Sequence, residues 1–186
     1  LSALGGAQEA EAVMEKARER WPAHPMVWIA TFDHLLFSGR PKAAAAFVMD
    51  PDSLPSEFGS PQVERRLRLA RALDTRQPAD IEASIDDHRK LALEEVTFIP
   101  IAAMVFAALG RPGLTFASLE RYYFNRGPFG APSPLSLYLR PYTDDLFSSP
   151  MMAVRSDPSF GRLLSEIGLE AYWRETRTVP DYRRAV

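Results

Sequence analysis

Apolar residues recur along most of this chain at steps of three and four, the spacing that gathers side chains on one face of an α-helix. Ala10, Val13, Met14, Ala17 and Trp21 form one such stripe. Met26, Val27, Ile29, Ala30, Phe32, Leu35 and Leu36 follow in a segment that is apolar on two faces. Ala43 to Val48 reads as a short third helix ended by Asp50-Pro51. Ser60-Pro61 then supplies an N-cap and a proline for the first helical turn. The helix it opens is expected to bury Val63, Leu67, Ala70 and Leu73. Ile81, Ile85, His88 and Ala92 mark a fifth helix. Ile101, Ala102, Val105, Phe106 and Leu109 mark a sixth that begins near Pro100, and a seventh runs from about Leu114 to Phe124. No stretch alternates strictly between apolar and polar, so the pattern predicts an all-α protein with at least seven helices and negligible strand.

A short breaker punctuates these helices: Leu4-Gly5-Gly6, Ser38-Gly39-Arg40-Pro41, Thr75-Arg76-Gln77-Pro78 and Leu109-Gly110-Arg111-Pro112. From Gly5 to Gly39, Thr75 and Gly110 the steps are 34, 36 and 35 residues. Glycine suits the left-handed stop of one helix and proline the first turn of the next. The repeating unit is therefore two helices joined by a tight turn. Gly5, Ala10 and Pro22, then Gly39 and Ala44, resemble the tetratricopeptide (TPR) family in order and spacing, with Pro55 standing early for the closing proline. In that family a Gly closes the first helix, an Ala follows in the second, and a Pro ends the unit. The later units depart from it, since Thr75 and Gly110 lack the Ala and the helix after Pro78 runs long. The resemblance implies an α-α superhelix of TPR-like hairpins over residues 1–126. It also makes Leu1 to Leu4 the stump of an upstream helix, with more helices expected before it.

Residues 127–186 read differently. Gly127 to Pro150 holds five prolines, which do not propagate a helix. Phe129, Leu135, Leu137, Tyr138, Leu139, Tyr142, Leu146 and Phe147 make the segment too apolar to stay solvated. An ordered crossover followed by a C-terminal helical cap, packed on the same domain, is the expected form. Asp157-Pro158 opens a helix containing Leu163, Leu164 and Ile167, and Gly168 stops it. Glu170 to Arg174 adds a short turn. Phe160, Leu164 and Trp173 are expected to be buried as a terminal cap. Arg155-Ser156-Asp157-Pro158-Ser159-Phe160, Ile167-Gly168-Leu169, Tyr172-Trp173-Arg174 and Pro180-Asp181 resemble the ending of TPR-containing bacterial signalling proteins and transcriptional regulators. That resemblance implies an N-terminal output domain, such as a winged helix or a nucleotide cyclase, elsewhere in the same chain.

Composition narrows the chemistry. The chain has 46% hydrophobic and 25% charged residues, as soluble domains do, and a net charge of −2. Such a charge gives no general attraction to nucleic acid, so none is expected to bind directly. With no cysteine, thiolate nucleophiles and Cys-based zinc sites are excluded. The longest apolar run, Phe98 to Leu109, contains Pro100 and is too short to span a bilayer. The reading favours the cytoplasm, with the periplasm as the alternative should a transmembrane helix lie upstream.

His24, His34 and His88 form no metal-ligand spacing and read as packing or surface residues. Asp86-Asp87, Glu94-Glu95 and Asp144-Asp145 are adjacent pairs that point about 100° apart on a helix, so neither member of a pair can work with the other on one atom. No phosphate loop, nucleophile elbow or dinucleotide fingerprint is present. No catalytic residue, cofactor or metal is therefore expected. Arg65, Arg66, Arg68 and Arg71 lie on one helix. They read either as a solvated face completing intramolecular pairs or as a site that captures an acidic peptide or carboxylate. Arg65, Arg68 and Arg71, with His34, are the candidate partner-binding residues. The function expected is a non-catalytic interaction or regulatory module of a larger bacterial signalling protein, whose partner is a protein, a peptide or its own output domain. A small-ligand receptor closed by Tyr122, Tyr123, Tyr138 and Tyr142 is the first alternative, and a homodimerisation scaffold the second.

Overall fold

The computed structural model describes residues 7–129 and 141–183. They form α1 (Ala7–Arg20), α2 (Pro25–Phe37), α3 (Pro41–Met49), α4 (Ser60–Thr75), α5 (Pro78–Glu94), α6 (Ile99–Ala108), α7 (Pro112–Phe124), α8 (Pro158–Glu166) and α9 (Leu169–Thr176). Short 3-10 turns at Val96–Phe98, Asp144–Phe147, Ser149–Val154 and Asp181–Arg183 complete the described elements. The protein is all-α, with no strand among the described residues.

The breakers work through backbone conformation. Gly39 (φ 81°) and Gly110 (φ 73°) are left-handed, and each is followed after one residue by the proline that opens the next helix. In both turns the next amide reaches back five residues, from Arg40 N to Leu35 O and from Arg111 N to Phe106 O, closing the Schellman loop. The middle breaker differs from its expected position. Its left-handed residue is Arg76 (φ 55°), one position after Thr75, so the structural steps are 37 and 34 residues. The N-cap of α4 is likewise Gly59 and not Ser60, which is already helical.

The chain divides into two compact units, residues 1–84 and 85–186, and the division falls within α5. In the first unit α1 packs on α2, α2 on α3 and α3 on α4. Trp28, Phe32, Leu36, Ala44, Val48, Leu69, Ala70 and Ala72 are buried there. The inner face of α4 is rotated from the expected one. Val63, Leu67 and Leu73 are only half-buried, while Leu69 and Ala72 take the core positions. The apolar stripe of α1 also departs from expectation. Ala10 is buried, but Val13 is 54% exposed and Trp21 51%.

The second unit joins α6 and α7 to the tail. Ala103, Ala107 and Leu119 share a core with Leu146, Met151, Val154, Phe160, Leu163 and Leu164. Phe129 is buried and stacks on Phe106 at 6.3 Å. Asp157 caps α8 by accepting from the Ser159 amide at 2.8 Å. Where a short turn was expected, α9 is a two-turn helix. Its Trp173 is half-buried among Phe147 and Tyr182, at 6.2 and 6.0 Å between ring centres. Ile101 projects outward instead of joining the α6 core. Leu135, Leu137, Tyr138 and Leu139 lie outside the described residues.

Candidate functional site

Trp28 sits at the centre of the first unit's most distinctive chemistry. Its ring lies 6.4 Å from Phe32, 5.6 Å from Phe47 and 5.0 Å from Phe58. The placement follows from local sequence, since Trp28 and Phe32 are four apart on α2 and share a face. Phe47 comes from α3, and Phe58 from the loop before α4. Arg66 covers this group from α4. Its guanidinium lies 5.0 Å from the Trp28 ring centre, 5.2 Å from Phe58 and 5.8 Å from Phe32. A guanidinium disposed over several ring faces gains from their quadrupoles, more so as it loses water. Burial lowers the Arg66 pKa, while Asp33 nearby on α2 pulls it up. Burial in turn pushes the Asp33 carboxyl up to about 6 against the attraction of Arg66.

Beside Trp28 a cleft of about 410 Å³ opens between α1, the start of α2 and the loop after α3. Half-buried Phe47 supplies its aromatic surface and the buried Trp28 lies behind it, with Val27 and Pro22 beside them. The Trp28 indole N–H donates to Ser53 Oγ at 3.4 Å, which fixes the ring and ties the loop to it. Four carboxylates line the cleft: Glu15 and Glu19, one turn apart on α1, and Asp50 and Asp52 on the loop. Glu15, Glu19 and Asp52 form no ion pair among the described residues. The one cation in the lining is Arg18, whose guanidinium lies 5.6 Å from the Phe47 ring centre. Among the described residues no three acidic or histidine side chains converge closely enough to hold a metal ion.

A second recess of about 360 Å³ lies against the same two helices and is almost wholly apolar. Met14, Ala17 and Trp21 line it from α1 and the turn that follows, and Met26, Val27 and Ala30 from α2. Met26 is 65% exposed there. Val27 lines both recesses, the acidic cleft with Glu15, Arg18 and Glu19 and the apolar groove with Met14, Ala17 and Trp21.

The candidates read from sequence lie elsewhere in the same unit. His34 Nε2 and Arg40 Nη2 both lie 2.7 Å from Glu11 Oε2, an exposed cluster that ties α1, α2 and the turn before α3. Arg40 first and His34 second hold the Glu11 carboxyl down at about 2. Arg71 Nε donates to Asp80 Oδ1 at 2.8 Å. Arg65 and Arg68 are half-buried on α4, and both are engaged in interactions within the chain. His24 accepts from the Met26 amide at 3.2 Å and so caps α2. Tyr122 and Tyr123 use their hydroxyls to hold the Tyr142 backbone, at 3.2 and 2.6 Å. Tyr138 lies outside the described residues. The cleft carboxylates and the Arg66 lid escaped the sequence reading. The i, i+4 pair Glu15 and Glu19 and the Asp50-Pro51-Asp52 run were visible signals, but nothing in the chain order brings α1 and that loop together.

No protein-family profile matches this chain, and comparison with curated proteins and with solved structures finds no match. None of the described helices is long and apolar enough to cross a membrane.

Proposed function

We propose that this chain is a non-catalytic, TPR-like interaction module that binds a protein or peptide through the α1–α2 side of its first unit. The observation that carries the reading is the pair of recesses that share Val27, one acidic with Phe47 in its wall and one apolar. Exposed large apolar side chains gathered beside a polar-rimmed recess are what interaction surfaces present to solvent. The helical hairpins, with left-handed turns at Gly39, Arg76 and Gly110, suit a repeat scaffold that offers such a face. The resemblance of residues 155–181 to the ending of bacterial signalling proteins supports a regulatory role in a larger cytoplasmic chain.

Selection of a random peptide display library on the immobilised protein tests the reading. Enriched peptides should lose binding when Met26→Glu and Glu15→Lys are introduced together, with the helical circular dichroism unchanged. A library in which nothing enriches over the double variant contradicts it.

A further inference from the structure

We propose that the partner's binding element is a basic amphipathic segment, one Arg or Lys of which enters the cleft between Glu15, Glu19 and Asp52 against Phe47 while an adjacent apolar side chain fills the groove at Trp21 and Met26. This rests on the interaction-module reading and names the chemistry of its partner.

Three features of the two recesses select this occupant. The first is charge. Among the described residues none of the cleft's four carboxylates carries an ion pair, and the Asp50 carboxylate accepts only from the Asp52 amide at 3.1 Å. Against one arginine in the lining, the cleft presents an excess of negative charge to solvent. An anionic partner is repelled and a cationic one is steered in. The second feature is a stand-in. The chain's own Arg18 guanidinium already lies 5.6 Å from the Phe47 ring centre. That wall therefore accepts a cation of the very kind the proposal brings, and rings of this type hold guanidinium and ammonium groups by the quadrupole of their faces. The third feature is the groove. It is almost wholly apolar, shares Val27 with the cleft, and leaves Met26 exposed and Trp21 half exposed, with the Arg20 guanidinium 5.1 Å from the Trp21 ring centre. A free amine or guanidine would fill one recess only. A peptide segment with an apolar residue beside its basic one fills both, and burying each methylene of that residue adds to affinity.

Arg18 gives the proposal an unusual sign. As an internal occupant it competes with the incoming cation, so removing it should strengthen the complex.

The test is fluorescence anisotropy with a labelled synthetic amphipathic peptide that carries arginines beside leucines, titrated with the full chain. Glu15→Lys with Glu19→Lys should weaken binding by about tenfold or more, and Met26→Glu by a similar factor. Arg18→Gln should tighten it about threefold, and Glu9→Lys, outside both recesses, should leave it unchanged. Added salt should weaken binding of the wild type and matter less for the double lysine variant. A peptide with glutamate in place of arginine that binds as well overturns the charge assignment, while the interaction-module reading survives. N-acetylarginine amide competing as well as the peptide, with Met26→Glu having no effect, assigns the cleft to a small cation and overturns the segment. Weaker binding of Arg18→Gln overturns the role given to Phe47 and Arg18. If display enriches nothing and this peptide does not bind at all, both proposals fall together.

Discussion

Gly39 and Gly110 stop their helices in a conformation that L side chains resist, and a Cβ added at either would meet no atom within 4 Å. Alanine there meets only backbone strain, about 1–2 kcal/mol for each residue forced left-handed. Gly161 lies inside α8 with a negative φ and equally open surroundings. Gly161→Ala should therefore stabilise by about 0.5–1 kcal/mol, while Gly39→Ala destabilises by at least that much. Urea unfolding of the two variants checks both signs. Asp33 makes a second prediction at this scale. Its folded pKa, about 6, lies above the ordinary 3.8, so its ionised form opposes folding. That penalty is present in full above pH 6 and fades as the pH falls toward 3.8. Asp33→Asn should raise the melting temperature at pH 7.5, with the gain shrinking by pH 4. A lower melting temperature at pH 7.5 would show that attraction to Arg66 outweighs burial. Glu11 has the opposite sign, because its pKa of about 2 lies below the ordinary 4.5. Its contribution is present above 4.5 and lost as the pH falls toward 2.

At the scale of the element, α4 shows how far the residue pattern reaches and where it stops. Its start was legible to within one residue because Pro61 acts on its own backbone and immediate neighbours, whereas its left-handed end falls on Arg76, one place past the expected Thr75, where no glycine marks it. Its inner face was not legible. Arg66 lies between apolar positions and was read with Arg65 and Arg68 as part of a charged cluster. Its guanidinium instead lies over Trp28, Phe32 and Phe58, and the helix presents Leu69 and Ala72 to the core. Arginine can cover apolar surface with its methylenes, so a binary pattern misassigns it. The stripe on α1 failed in the other direction. Ala10, Val13, Met14, Ala17 and Trp21 share a face, but spacing fixes only which residues line up, not what covers them. The acidic cleft was unreadable for a third reason, since it forms where α1 meets the loop after α3. Arg66→Ala should cost about 2 kcal/mol of stability through lost ring contacts and packing. Arg71→Ala breaks only the exposed pair with Asp80 and should cost less than about 1 kcal/mol. Equal losses in denaturant titrations of the two would deny Arg66 its place over the rings.

For the whole molecule, two compact units imply two separable sets of consequences. In the second, Phe160, Leu163 and Leu164 of α8 complete the core built by Ala103, Ala107 and Leu119. Phe160→Ala should cost about 3–5 kcal/mol, and ending the chain at Ser156 should lead to aggregation or a large loss of stability. A soluble truncation with an unchanged melting temperature would show that the tail contributes nothing to that core. Binding is assigned to the first unit alone, and the chain's three tryptophans report on the two units separately. Trp21 lines the apolar groove, Trp28 lies behind the aromatic wall of the acidic cleft, and Trp173 lies in the second unit beside Phe147 and Tyr182. Titrating the basic amphipathic peptide into nitrogen-15-labelled protein and following the three indole N–H resonances reads all of these places at once. The Trp21 and Trp28 signals should shift together and saturate at one affinity, with Trp173 unmoved. A saturating shift of Trp173 alone, or no shift of Trp21 and Trp28 at saturating peptide, would contradict the assignment of binding to the α1–α2 face.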